Sequence, residues 1–230
     1  GDLSSKSGMT ADTGYSTYLE AINDKRFDVM LTYAGVNEYG LADDLAGGET
    51  YPYVGGSLLA ESTMKTTTAG SAVFDGDRMT GVLDGRHTME TLMVTDEFEK
   101  GEMQFTLPDG GTLLAALYRM RAPKVRLDHE NALVELYLEA DVFAPEPVPM
   151  ERDALKMLIK ERLETELGAV FSALQAVNSD AMGFGRFRAK QFRSVSDWEA
   201  CDWKEEYRKL SVTFSVTLML SHDPHDPGTE

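Results

Sequence analysis

The chain has 230 residues, 42% hydrophobic and 27% charged, enough to bury a sizeable core as one large domain or two small ones. Lys plus Arg number 22 against 39 Asp plus Glu, a formal charge of −17, so the basic footprint of a nucleic-acid binder is missing and the overall field opposes anionic lipid. A single cysteine, Cys201, excludes an internal disulfide, no Cys/His spacing suits zinc, and no apolar run of 18 residues is present to span a bilayer.

Residues 1–14 are expected to be a flexible lead-in, with nothing resembling the apolar stretch of a signal peptide. Tyr15, Tyr18, Leu19 and Ile22 then fall at helical spacing and predict a short amphipathic helix over 15–25. Asp28–Val36 reads as a strand, 37–50 as an exposed loop, and Tyr51–Leu59 and Thr66–Phe74 as further strands. Asp75-Gly76-Asp77 closes a hairpin onto Met79–Leu83, glycine supplying the positive φ of a tight turn. A short helix is expected over His87–Val94.

The second half is more regular. Asp109-Gly110-Gly111 turns into a strand over Thr112–Met120; Pro123 interrupts, and Lys124–Leu127 resumes before the turn at 128–131. Ala132, Val134, Leu136, Leu138, Ala140 and Val142 share one face of a strand that meets water on the other. Leu210–Leu220 repeats that alternation. Between them Pro145, Pro147 and Pro149 forbid helix, and Pro149 sits where a first turn tolerates proline. Leu155, Leu158, Ile159, Leu163, Leu167, Val170, Phe171, Leu174 and Val177 then form a 3.6-residue stripe. Such a helix, about 28 residues over about 150–178, measures roughly 42 Å and suits a cover laid across a sheet. Gly183 and Gly185 are available to cap or turn its end, and a second helix is expected over Val195–Tyr207 with Trp198 and Trp203. Residues 223–230 form a Pro-containing tail.

Chemical motifs are sparse. Ser62-Thr63-Met64-Lys65 matches S-x-x-K, but its companion motifs are absent. Asp75-Gly76-Asp77 opens like a calcium loop, yet its twelfth position is Arg86 rather than glutamate. His222 and His225 lie three apart without support; His87 and His129 read as solvated, and Cys201 as a half-buried filler. No nucleophile, base and orienting group can be assembled by spacing, so no catalytic, metal or cofactor residue is assigned. Residues 186–209 carry +2 within a chain of −17. Arg186, Arg188 and Lys190 alternate there with Phe187 and Ala189, which reads as an edge strand guarded by charge. The alternative, with Arg193, is a contact surface for a partner protein or lipid phosphates.

From about Gly70 onward the chain resembles the C-terminal region of the Ger(x)C spore germination proteins, the C subunits of nutrient germinant receptors. The resemblance rests on Gly70 to Phe74, on Gly81 before Val82-Leu83, and on a long helix ending in Gln175, Asp180 and Gly183-Phe184-Gly185. Trp198, Trp203 and Tyr207 before the final alternating strand complete it. It implies a lipoprotein on the outer face of the inner spore membrane, partnered by a membrane-embedded A subunit and a B subunit. The lipid anchor is absent from this chain and is expected on a longer full-length protein. Its motif residues look structural, with Asp180 a cap.

The expected architecture is α+β: an antiparallel sheet covered by one long helix over 105–222, preceded by a smaller mixed unit over 15–104. The expected function is a non-enzymatic receptor subunit. The alternatives are an extracytoplasmic binding module for a small ligand or polymer, which would use an aromatic-lined groove, and a hydrolase with a dispersed site.

Overall fold

Glycines set the first sheet. Strands β1 (Met30–Val36), β2 (Thr66–Asp75) and β3 (Arg78–Leu83) pair antiparallel in that order. Gly76, φ +62°, makes the β2–β3 turn. Gly70, φ +117°, lies where the β1–β2 register slips, and a Cβ there would come 2.0 Å from the Leu83 carbonyl oxygen. An L side chain is excluded both by that contact and by the backbone conformation. The computed structural model describes residues 18–19, 24–36, 66–128, 130–143 and 150–221. The expected loop 37–50, strand 51–59, Ser62–Lys65 motif, His129, His222, His225, Pro145, Pro147, Pro149 and the two terminal segments lie outside the described residues, as does most of the expected helix over 15–25.

The second sheet contains β4 (Lys100–Thr106), β5 (Thr112–Arg119), β6 (Lys124–Asp128), β7 (Asn131–Phe143) and β8 (Ser211–Leu220). β4 pairs antiparallel with β5. β5 and β6 lie end to end along one side of β7, pairing with residues 138–143 and 131–135, and Met120–Pro123 separate them. Pro123 has no N–H to give a ladder, which suits it to that interruption. β8 runs along the other side of β7 in parallel, Asn131 opposite Ser211 through Ala140 opposite Leu220. The sheet therefore holds three antiparallel pairings and one parallel one. Parallel neighbours need a crossover connection, and α2 (Arg152–Ala176) provides it.

The long helix lies over the sheet as expected, at 25 residues rather than 28, starting after Glu151. Leu155, Ile159, Leu163, Leu167, Val170, Phe171 and Leu174 are buried. They share one core with β4, β5, β7, β8 and Met89, Leu92 and Met93 of α1 (Gly85–Thr95). Each such side chain contributes about 1.5–3 kcal/mol by leaving water. The α+β class holds.

Three local readings are corrected. Lys100–Thr106 is a strand that the sequence left unassigned, and it crosses position 104–105. The expected second helix is two, α4 (Val195–Glu199) and α5 (Trp203–Tyr207). Asp202 accepts from the Glu205 amide at 3.1 Å, an N-cap that starts a new helix. Arg186–Lys190 is no edge strand, because Phe184–Ala189 forms the short helix α3.

Candidate functional site

Most of the motif residues converge at the C-terminal end of α2. Asn178 takes φ +58°, ending the helix, and the chain turns inward through Ser179 and Asp180, both buried. The Asp180 carboxylate accepts from the Phe184 amide (2.8 Å), the Gly185 amide (2.7 Å) and Trp203 Nε1 (2.9 Å). Those two amides are the orphan donors of a helix start, so one carboxylate nucleates α3. The left-handed Gly183 (φ +73°) aims the chain into it. This is why the alternating Arg-Phe-Arg-Ala-Lys run coils: its first N–H groups are captured before a strand partner can take them.

Gly185 is required by close approach. A Cβ there would stand 2.6 Å from the Arg26 carbonyl oxygen and 2.7 Å from Trp203 Nε1. Gln175 Nε2 donates to the carbonyls of Tyr207 (2.8 Å) and Leu210 (2.9 Å), tying α2 to the entry of β8. Tyr207 Oη donates to the Ser179 carbonyl at 2.7 Å. Phe184 and Tyr207 pack edge-on to Phe171, and Trp203 bridges Tyr207 to Trp198.

A second carboxylate joins this knot to the first sheet. The Asp180 amide donates to Asp28 Oδ2 at 2.6 Å, and the Asp28 amide returns a bond to the Asp180 carbonyl at 3.1 Å. Asp28 Oδ1 accepts from the Gly76 amide at 2.9 Å, in the β2–β3 turn. Lys204 Nζ pairs with Asp28 and with Asp75 (2.7 Å) and donates to the Asn178 carbonyl (2.8 Å), while Asn178 Nδ2 donates to Asp75 (2.8 Å). Gly70, Phe74 and Gly81 belong to the sheet carrying this turn, and Phe74 packs against Tyr18.

Burial pushes the Asp180 carboxyl up to about 7, against the pull of its three donors. Burial likewise opposes ionisation of Asp75, but hydrogen bonds from Lys204 and Asn178 hold it below its ordinary value. The Tyr207 phenol is driven well above its usual range by burial and by the nearby Asp180, so it keeps the proton it donates. Cys201 is raised by burial and by Glu206, which leaves its thiol a poor nucleophile. Every side-chain oxygen of Asp28 and Asp180 has a protein donor. The knot ties the β2–β3 turn of the first sheet to the segment that follows α2.

Asp28, Asp75, Asn178 and Lys204 were missed by sequence reasoning. Only the polar run Asn178-Ser179-Asp180 after an apolar stripe gave a signal, since such residues favour caps and turns. The four basic residues separate by role. Arg186 lies over the Phe27 ring at 3.8 Å, and Arg188 pairs with Glu206 at 2.7 Å and reaches Gln191. Lys190 and Arg193 are exposed, Lys190 near the Phe187 ring. A shallow depression where β6, β7 and β8 begin or end is lined by Arg126, Leu127, Asp128, Asn131, Leu133 and Thr213, without an aromatic side chain. No helix among the described residues is long and apolar enough to cross a membrane.

A family model described as spore germination B3/GerAC-like, C-terminal, matches residues 69–223, about two thirds of the chain. The chain belongs to this spore germination family. The match begins beside Gly70 and contains the whole second sheet, α2 and Asp180 with its three donors, while Asp28 lies before it. The fold is also similar to that in the crystal structure of the GerBC protein, with a TM-score of 0.63 at 11% identity. That likeness covers 91% of this chain and 60% of the other, so the chain spans about three fifths of GerBC. Comparison with curated protein sequences gives no match.

Proposed function

We propose that this GerAC-like chain is part of the C subunit of a spore germinant receptor, a non-enzymatic scaffold acting through protein contacts at a membrane surface. The observation that carries the reading is the family match over 69–223, which takes in the second sheet, α2 and Asp180 with its three donors. The knot supports it chemically, because its carboxylates are consumed by internal donors. In this reading a lipid anchor outside the chain holds the protein at the outer face of the inner spore membrane, beside an integral A subunit and a B subunit. Lys190 and Arg193, exposed in a chain of −17, are the proposed contact residues of the basic segment. Arg186 and Arg188 hold their positions through Phe27 and Glu206.

Deleting the gene should abolish the spores' response to at least one nutrient. Complementation with Lys190→Glu/Arg193→Glu should restore protein level without restoring co-purification with the membrane subunit. Spores of a strain stripped of paralogues that still answer every nutrient normally would end the proposal.

A further inference from the structure

Glu90, on the inner side of α1, has a fully buried side chain. Its Oε1 lies 3.4 Å from Arg86 Nε, a long contact, and its Oε2 has no hydrogen-bond partner. The same guanidinium is committed elsewhere: it pairs closely with Glu166 of α2 and donates to the Gln104 carbonyl of β4 at 3.1 Å. Arg86 also lies 5.7 Å from the Phe105 ring centre. Two carboxylates therefore face one cation across the α1–α2 contact, and the better placed one is the half-exposed Glu166. An ionised carboxylate buried without a donor is costly. One proton removes the conflict, because a protonated Glu90 presents an O–H to the Glu166 carboxylate and no second charge.

We propose that Glu90, Arg86 and Glu166 form a protonation-controlled clasp between α1 and α2. With Glu90 protonated, α1 is closed onto α2. Loss of that proton to solvent leaves two anions on one guanidinium and loosens α1, which packs between the first sheet and α2. The Asp28–Lys204 knot holds the other side of the first sheet, so the loosened end moves about a fixed one. Burial first, and Glu166 second, raise the Glu90 carboxyl to about 8.

The other charged groups near the clasp are few. On α1, His87 is drawn up by Asp84, which accepts its amide at 2.7 Å and pairs with Nδ1 at 3.1 Å. On β2 the titratable residue is Asp75, engaged by Lys204; on β3 it is the exposed Arg78 at the far end. On β7 the acidic residues Glu135, Glu139 and Asp141 alternate with the buried core positions and so face away.

The sign follows from the direction of the shift. A carboxyl whose folded pKa lies above its unfolded value binds its proton more tightly in the native state, so stability falls as pH rises between the two values. For Glu90 that window runs from the ordinary glutamate range to about 8. Asp180, raised to about 7, and His87, drawn above its ordinary value, lose stability in the same direction. The difference between the parent chain and Glu90→Gln above pH 7 therefore isolates the clasp.

Thermal melts and native-state hydrogen exchange of the full chain, at several pH values from 6 to 9, test this. Between pH 7 and 8.5 the parent chain should lose about 3–5 °C more in Tm than Glu90→Gln does. At pH 8.5 the amides of α1 should exchange about tenfold faster in the parent than in Glu90→Gln, with β7 and β8 unchanged between them. Glu166→Gln, which leaves Arg86 to Glu90 alone, should move the transition to lower pH and shrink it. Equal α1 protection in parent and Glu90→Gln at pH 8.5, or a transition that Glu166→Gln leaves in place, would overturn the clasp.

Discussion

At the scale of single residues, Asp180 carries the greatest structural demand. Asp180→Asn is nearly isosteric, but its amide nitrogen, itself a donor, must face at least one N–H that then has no acceptor. Leaving a buried donor unpaired costs about 1–3 kcal/mol, and a fall of that size in unfolding free energy should appear in urea melts. Gly185→Ala is expected to cost about as much by a different route, since its methyl meets the Arg26 backbone at 2.6 Å. A neutral result for Gly185→Ala would mean that the 24–27 segment retreats freely. Lys204→Met removes the cation shared by Asp28 and Asp75. It should cost about 3 kcal/mol, because the buried Asp28 side chain loses its cation and is left with the Gly76 and Asp180 amides alone. Asp180 was legible in the sequence as a cap because it follows a helical stripe and precedes glycines. Lys204 was not, because its partner Asp28 is 176 positions away and long-range pairing leaves no local pattern.

Elements were read best where burial is one-sided. The alternation in β7 and β8 and the stripe of α2 each report a face against the core, and these elements appear close to their expected bounds. β4 was missed because KGEMQFT supplies only Met103 and Phe105 as buried large residues and spends a third inward position on Gly101. Gly101 is small because Met89 Sδ would lie 2.6 Å from a Cβ there. The parallel placement of β8 was equally hidden, since alternation says which face is buried and nothing about direction. Among the described residues β8 is also an edge strand, and α2 guards it: Glu164 accepts the Val216 amide at 2.8 Å and Arg152 donates to the Leu220 carbonyl at 2.6 Å. Glu164→Ala should lower stability by about 1 kcal/mol and promote concentration-dependent association through the uncapped edge. Sedimentation velocity across a concentration series reads the second effect, and an unchanged profile would mean that the edge is protected by other means.

On the scale of the whole molecule, the charge of −17 works against compaction while the local pairs work for it. Salt weakens both, and the sign of its effect reveals which dominates. Raising ionic strength from 0.01 to 0.1 M shortens the screening length from about 30 to about 10 Å. That should relieve the long-range repulsion more than it harms the partly buried Lys204 and Arg86 contacts, so Tm should rise by about 2–4 °C. A fall would place the exposed ion pairs, such as Arg208–Glu205 and Lys209–Glu205, above the repulsion in importance. The parallel seating of β8 beside β7 has a further consequence for biosynthesis. A ribosome delivers β7 long before its lateral neighbour, with some seventy residues from Phe143 to Ser211 intervening. During that interval one flank of the sheet's longest strand has no permanent mate, so the nascent chain passes through a sticky stage in which chaperone engagement or mispairing is most favoured.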